Sequence, residues 1–352
     1  MKGRGTTKNP RIRFESLTRE PFADGWIDAV EEHPAPTQFF RDNSKSILAR
    51  NESPDIGFTF DLNPYRGCEH GCIYCYARPS HEYLGFSSGL DFETKILVKL
   101  DAPLLLEEVF RKKSWMPDVV MLSGNVDCYQ PIERKLKITR KCLEIFLKYR
   151  NPVSVITKNA LILRDIDLLT QLASLNLLSV CLSVTTLDAD LARRMEPRTS
   201  TPEQKMKAIE TLANEGIPVS VNAAPIIPGL NDEELPAILS EAAARGATYA
   251  GYTLLRLPYS VKDLFVEWLK RELPAKAERV LNRISDVRDG KLNEADFSSR
   301  MRGKGEIASA IAQLFRASCQ KHGLNARLAP LSTEKFIRPS ADHEQGELIF
   351  SQ

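Results

Sequence analysis

The sequence predicts an α/β fold of six parallel strand–helix units. From residue 56 to 255, short β-branched runs alternate with longer patterns of helical period, as expected for parallel strands joined by right-handed helical crossovers. Polar residues follow the predicted strands at their carboxyl ends, where barrel active sites lie. The 352 residues, 43% of them hydrophobic, suffice for one such domain plus extensions. These patterns fit either a partial barrel or an open doubly wound sheet.

Each predicted element is bounded by its own pattern. The strands are predicted at Gly57–Leu62, Asp118–Ser123, Val153–Thr157, Ser179–Val184, Ile217–Val221 and Thr248–Leu254. The helices between them are predicted at Pro103–Lys113, Leu136–Tyr149, Ile162–Leu175, Pro202–Glu215 and Glu233–Arg245. Helix-terminal residues support these ends, because Thr201 precedes Pro202 and a glycine follows each of the last two helices. An additional strand, Thr94–Leu100, is predicted as an insertion.

Two extensions flank residues 56–256. Residues 1–55 are predicted to form an irregular basic extension, and residues 257–352 a helical extension with a polar tail. Basic residues cluster before residue 14 and again at Arg300, Arg302 and Lys304, where two glycines make the loop able to bind an anion. A solvated surface is the simpler interpretation of both segments, and contact with nucleic acid is the alternative.

Composition limits the functional classes. The formal net charge is +2, so bulk charge does not favour a polyanionic partner. The chain has no apolar run of about 18 residues and no apolar signal core at its start, which predicts no membrane segment. The 7 cysteines are odd in number and irregularly spaced, which argues against a disulfide framework. We therefore expect a cytoplasmic protein.

A cysteine loop follows the first predicted strand. It reads NPYRGCEHGCIYCYA, residues 63–77, and places Cys68, Cys72 and Cys75 at a Cys-x-x-x-Cys-x-x-Cys spacing. Soft thiolates on a short loop bind zinc or an iron–sulfur cluster. His70 or His81 is a candidate fourth ligand for a structural zinc ion. Three thiolates alone leave one position vacant, which is the arrangement of a reactive site rather than a structural one.

The cysteine loop resembles the signature of the radical S-adenosylmethionine (radical SAM) superfamily, including Tyr74 just before the third cysteine. The resemblance implies a partial (β/α)6 TIM-type barrel and a 4Fe–4S cluster held by the three cysteines. It also implies that bound S-adenosylmethionine is cleaved to a 5'-deoxyadenosyl radical that abstracts hydrogen from a substrate. A low-potential electron donor of the flavodoxin or ferredoxin type is implied as a partner, because cluster potentials reach about −700 mV.

Residues 60–255 also resemble the photolyase-like group related to spore photoproduct lyase. By that resemblance Tyr74 lies near the adenine of the cofactor, and Tyr76 takes part in hydrogen-atom transfer. Further cofactor-binding positions implied by the resemblance are Asp127, Lys158, Ser183, Arg198, Asn222 and Ile227. An ammonium and a hydroxyl suit the carboxylate and ribose of S-adenosylmethionine.

The sequence departs from the lyase at the hydrogen-donor cysteine, because Gly124 occupies that position. Cys128 and Tyr129 lie nearby in a different register, and we hypothesise that one of them faces the substrate. Three classes of function remain open. They are a radical SAM enzyme acting on nucleic acid, one acting on a peptide or metabolite, and a zinc-containing binding module without catalysis.

Overall fold

A computed structural model describes residues 3–15, 36–326 and 330–339. Its strands are β1 (Gln38–Arg41), β2 (Leu48–Arg50), β3 (Phe60–Leu62), β4 (Tyr65–Arg66), β5 (Lys95–Val98), β6 (Val120–Leu122), β7 (Val153–Thr157), β8 (Leu178–Ser183), β9 (Val219–Ile226) and β10 (Tyr249–Leu254). Its helices are α1 (Leu90–Thr94), α2 (Ala102–Arg111), α3 (Glu133–Leu136), α4 (Ile138–Tyr149), α5 (Ile166–Ser174), α6 (Ala189–Met195), α7 (Pro202–Asn214), α8 (Leu235–Ala244), α9 (Ser260–Glu272), α10 (Pro274–Asp286) and α11 (Gly305–Lys321). Short 3-10 helices span Arg78–Leu84, Ala160–Asp165 and Asp232–Glu234.

The main sheet has seven strands in the order β10-β9-β8-β7-β6-β3-β2. Six of them are parallel and stand side by side in chain order, whereas β2 pairs antiparallel with β3 at one edge. A doubly wound sheet reverses its strand order at a switch point, and this sheet does not. Strands β2 and β10 are not paired, so the described sheet does not close. The predicted α/β fold class is therefore confirmed. Of the two arrangements that the sequence patterns fit, the partial barrel agrees with this strand order.

The six predicted parallel strands and the five helices between them are all present, with ends shifted by up to five residues. Helix α7 begins as predicted. Thr201 Oγ1 accepts from the Gln204 amide at 3.3 Å, and the Gln204 side chain accepts from the Thr201 amide at 3.0 Å. This capping box satisfies amides that have no partner within the first turn. The pattern did not predict α1, α3 or α6, which are each seven residues or shorter.

The described part of the N-terminal extension packs against the main domain through specific pairs. Strand β1 pairs parallel with β5, the strand predicted at Thr94–Leu100. Lys8 forms an ion pair with Glu267, and Arg13 pairs with Glu82. Arg4 donates to the Glu93 carbonyl at 2.8 Å. These cations are therefore engaged within the chain rather than free to bind nucleic acid.

Helices α9, α10 and α11 form the C-terminal extension at the three places where the sequence predicts helices. The basic loop before α11 is also engaged. Arg300 binds both oxygens of Asp55 at 2.6 Å, Arg302 donates to the Tyr252 carbonyl at 2.9 Å, and Lys304 pairs with Asp289 at 2.7 Å. No described helix is both long and apolar enough to cross a bilayer. The boundaries at residues 56 and 256 stay a prediction, and residues 340–352 of the predicted tail lie outside the described residues.

Candidate functional site

A cavity of about 560 Å³ opens at the carboxyl ends of the parallel strands. Its walls come from the loops after β3, β6, β7 and β10 and from residues of β8 and β9 themselves, so that residues far apart in sequence meet in one place. This is the end at which parallel barrels place their active sites. The predicted site residues on its walls are Cys68, Cys72, Tyr74, Cys75, Tyr76, Asp127, Lys158, Ser183 and Asn222.

The main chain of the cysteine loop is fixed by hydrogen bonds from outside the loop. The Cys68 amide donates to the Phe92 carbonyl at 2.9 Å, and the Ile73 amide donates to the Met195 carbonyl at 3.0 Å. Gly71 has φ +68°, and a Cβ there would lie 2.7 Å from Glu93 Oε2. The position therefore requires glycine both for its conformation and for its close contact.

Arg78 supports the loop from beneath. Its guanidinium is fully buried and donates to the carbonyls of Cys72 at 3.0 Å and Gly71 at 3.2 Å. It also pairs with Glu93 at 2.5 Å, and Glu93 in turn accepts from the Gly5 amide at 3.0 Å. The N-terminal extension, Glu93 and Arg78 thus form one buried network that positions the loop.

The three loop cysteines suit a cluster better than a single ion. Burial raises the pKa of each of the three thiols, so a positively charged metal is what would hold them as thiolates. No group of three His, Cys, Asp or Glu side chains in the described part of the chain converges to hold one metal ion. In a 4Fe–4S cluster each thiolate binds a different iron atom, so convergence on one point is not needed. Cys68, Cys72 and Cys75 therefore fit the cluster.

Asp127 lies beside the cysteines in a shell of donors. Its carboxylate accepts from Thr157 Oγ1 at 2.7 Å and from the Lys158 amide at 2.8 Å, and His70 Nδ1 lies 3.4 Å away. Burial favours the neutral acid, but the charge and hydrogen bond of His70, together with these donors, lower the pKa of Asp127 to about 2. A permanently ionised carboxylate is therefore available at the cavity wall.

Tyr74 enters the cavity from a buried polar network. Its hydroxyl donates to Glu196 and lies 3.1 Å from Thr185 Oγ1. Glu196 also accepts from Thr185 at 2.6 Å and from the buried ammonium of Lys205 at 2.7 Å. The hydrogen bond from the Tyr74 hydroxyl holds the Tyr74 ring in place, because the Glu196 carboxylate that accepts it is itself fixed by the Lys205 ammonium.

A family model of the radical SAM superfamily matches residues 62–242. The chain belongs to the radical SAM superfamily. Members of this superfamily are enzymes that use a 4Fe–4S cluster and S-adenosylmethionine, and the matched residues contain the cysteine loop and the parallel strands β6, β7, β8 and β9. The predicted cofactors and the predicted enzymatic character are therefore confirmed.

Relatives of this radical SAM enzyme occur in bacteria and archaea. An uncharacterized protein of Mycobacterium tuberculosis is 35% identical over 66% of this chain and 69% of its own length. An uncharacterized protein of Methanocaldococcus jannaschii is 32% identical over 51% of this chain and 64% of its own. Among solved structures, spore photoproduct lyase complexed with dinucleoside spore photoproduct aligns with a TM-score of 0.58 at 14% identity, over 81% of this chain and 80% of the lyase. That likeness is one of fold.

Four predicted site residues lie away from the cavity of the radical SAM domain. Cys128 and Tyr129 are fully buried, and the Tyr129 hydroxyl donates to Asp165 at 3.1 Å. This placement argues against the hypothesis that either faces the substrate. Arg198 pairs with Glu69 at 3.2 Å, and Ile227 is buried in a second apolar cluster. Neither of them lines the cavity, and their role in binding the cofactor stays a prediction.

Sequence reasoning missed several residues of the site. Lys205 reads as one surface lysine among others on an amphipathic helix, and nothing in its spacing indicates that it is buried. His70 was considered only as a zinc ligand, yet its ring bridges Asp127 and, at 3.1 Å, Asn159. Arg78 follows the cysteine loop directly. The sequence signal that could have indicated its supporting role is the position of an arginine between the last cysteine of the loop and Pro79.

Proposed function

We propose that the cavity is the active site of a radical SAM enzyme that abstracts hydrogen from a substrate bound above the cofactors. One observation carries the proposal. The three cysteines line the same cavity as Tyr74, Asp127, Lys158, Ser183 and Asn222, which are five of the seven positions predicted to bind S-adenosylmethionine. When bound, the cluster and S-adenosylmethionine supply a carbon radical able to remove a hydrogen atom.

The chain's own groups divide the work within the cavity. The Lys158 ammonium acts electrostatically on the thiols of Cys72 and Cys75, so it lies near the metal ligands, where it suits a carboxylate of the cofactor. Ser183, the last residue of β8, supplies a hydroxyl, and Asn222, its partner in the middle of β9, supplies an amide. Tyr76 lies at the opening, with its hydroxyl donating to the Gly124 carbonyl at 2.6 Å. We assign it hydrogen-atom transfer with the substrate.

The test is formation of 5'-deoxyadenosine by anaerobically reconstituted protein given dithionite and S-adenosylmethionine. We expect it from the wild type and from Cys319→Ser, whose thiol lies on α11 away from the cavity, but not from Cys72→Ala. Loss in both variants, or in neither, would contradict the assignment of the loop. Iron and zinc analysis of the same samples separates cluster loss from misfolding.

The electron for the cluster comes from a reductant. We propose a flavodoxin or a ferredoxin, because a low-potential donor is required. Replacing dithionite with either purified protein and its reductase tests this, and 5'-deoxyadenosine at the level of the no-reductant control would oppose it.

Family membership decides against the zinc-containing binding module.

Nucleic acid is the substrate hypothesis suggested by the fold neighbour, spore photoproduct lyase in complex with dinucleoside spore photoproduct. A peptide or metabolite is the alternative. Binding of duplex and single-stranded DNA at increasing salt distinguishes them, because an interface with Z phosphate contacts loses affinity with a slope of about −0.9Z on a double logarithmic plot. A slope near zero would favour the peptide or metabolite.

A further inference from the structure

The cavity wall includes a cation, Arg256, that forms no ion pair with any carboxylate of the described residues. Arg256 follows β10, and its guanidinium lies 5.5 Å from the centre of the Tyr76 ring. Its Nη1 lies 3.8 Å from the Met301 sulfur, which is a weak acceptor. Its Nε is buried and has no hydrogen-bond partner among the described residues. Arg256 therefore lines the cavity without a strong acceptor for its guanidinium among the described residues.

The nearest carboxylate is already occupied. Asp55 acts electrostatically on Arg256, but both of its oxygens bind Arg300 at 2.6 Å. Burial, followed by the charge of Arg300, lowers the pKa of Arg256. An enclosed guanidinium without a counterion is costly, since charges are normally buried only with a partner. The arrangement is that of a binding site rather than of a structural ion pair.

Arg256 and Lys158 act in different parts of the cavity. The electrostatic influence of Lys158 reaches Cys72 and Cys75, whereas Arg256 interacts with Tyr76, Asp55 and Arg300. The wall near Arg256 is largely apolar and includes Ile56, Phe58, Leu254, Leu255 and Met301. The pocket beyond the cysteines therefore combines the guanidinium of Arg256 with apolar surface, and Arg50, Asn51 and Asp61 add polar groups to the same cavity.

We propose that Arg256 binds an anionic oxygen group of the substrate, a phosphate or a carboxylate, beside Tyr76. The substrate is then an organic anion whose apolar part contacts the neighbouring wall. This inference rests on the proposed function, because it takes the space beside Tyr76 as the substrate site. A guanidinium suits both oxyanions, since its parallel N–H groups match two oxygens at once.

The test uses three small probes of similar size: phenyl phosphate, benzoate and the neutral benzyl alcohol. Binding to the anaerobically reconstituted full chain is measured by isothermal titration calorimetry, with and without S-adenosylmethionine. We expect at least one anion to bind more tightly than the alcohol and Arg256→Gln to weaken it about tenfold or more. Arg316→Gln removes an exposed arginine on α11 and should leave binding unchanged. The anion that binds more tightly identifies phosphate or carboxylate as the source.

Three results would overturn the inference. The first is that neither anion binds better than the alcohol. The second is that Arg256→Gln and Arg316→Gln lose the same amount of affinity for the anion. The third is that S-adenosylmethionine abolishes anion binding, which would assign Arg256 to the cofactor. If Arg256→Gln does not fold, Arg256→Lys decides, because it keeps the charge without the fork and should retain part of the affinity. Formation of 5'-deoxyadenosine by the wild type is scored separately. Its absence would defeat the proposed function while anion binding could still depend on Arg256.

Discussion

Replacing Arg78 by methionine should destabilise the protein and empty the cysteine loop. The substitution leaves the fully buried Glu93 carboxylate without its cation and removes the donors to the Gly71 and Cys72 carbonyls. Breaking a buried pair from one side costs about 3–5 kcal/mol, because the remaining charge stays desolvated. We therefore expect the free energy of unfolding to fall by about 3–5 kcal/mol. We also expect less iron per chain, because Arg78 no longer donates to the carbonyls of the cysteine loop.

Urea unfolding of anaerobically purified protein measures the first effect, and iron analysis after reconstitution measures the second. Arg245→Met is the matched control. Arg245 pairs with three glutamates, including Glu241 at 2.8 Å, but those partners are exposed and its removal should cost below about 1 kcal/mol. The double variant with Glu93→Gln should recover part of the loss, since it removes the stranded charge. Equal unfolding midpoints for Arg78→Met and Arg245→Met would refute the reasoning.

Three further predictions follow from buried polar groups. Glu196→Gln leaves the Lys205 ammonium without its carboxylate and weakens the hold on the Tyr74 ring, so calorimetry should show weaker binding of S-adenosylmethionine than in the wild type. Burial lowers the pKa of His81 from 6.5 to about 4, so the folded state resists its protonation. The contribution of His81 to the free energy of unfolding is therefore complete above pH 6.5, and up to about 3 kcal/mol of it is lost as the pH falls towards 4. His81→Gln should flatten the pH dependence of the urea midpoint. Tyr129→Phe should lower the free energy of unfolding by about 0.5–1.5 kcal/mol. Both Tyr129→Phe and Cys128→Ala should leave 5'-deoxyadenosine formation intact. Loss of the product at unchanged stability would restore the predicted role of these residues at the substrate.

Local sequence patterns predicted the framework because each pattern reports on a single element. Strand β7 occurs with the predicted bounds, Val153–Thr157, because its β-branched run is flanked by clear turn residues. The spacing of the cysteines predicts the cluster ligands for the same reason. Spacing does not show where a loop turns after its strand ends. Ser123 adopts φ +79° directly after β6, and its hydroxyl accepts from the Cys128 amide at 2.5 Å. That turn carries Cys128 into the core.

Partners distant in sequence account for the remaining differences. Arg198 was assigned to the cofactor, but Glu69, which pairs with it, lies 129 residues away. Arg300 was counted in an anion-binding loop, and its partner Asp55 lies 245 residues away. Composition and periodicity carry no information about such pairs. They arise only when the ends of the sheet and the C-terminal extension come together in the fold.

The distribution of paired and unpaired cations favours a compact organic anion over an extended polyanion. A nucleic-acid groove requires several cations free to meet successive phosphates, since each contact contributes to the salt-dependent affinity. The described basic residues of both candidate segments are instead engaged, as Lys8 with Glu267 and Arg300 with Asp55 illustrate. Arg256 lines the cavity beside Tyr76 and forms no ion pair with a carboxylate of the described residues. On our proposal, one guanidinium beside Tyr76 orients a single oxyanion of the substrate and so holds one carbon in position for hydrogen abstraction.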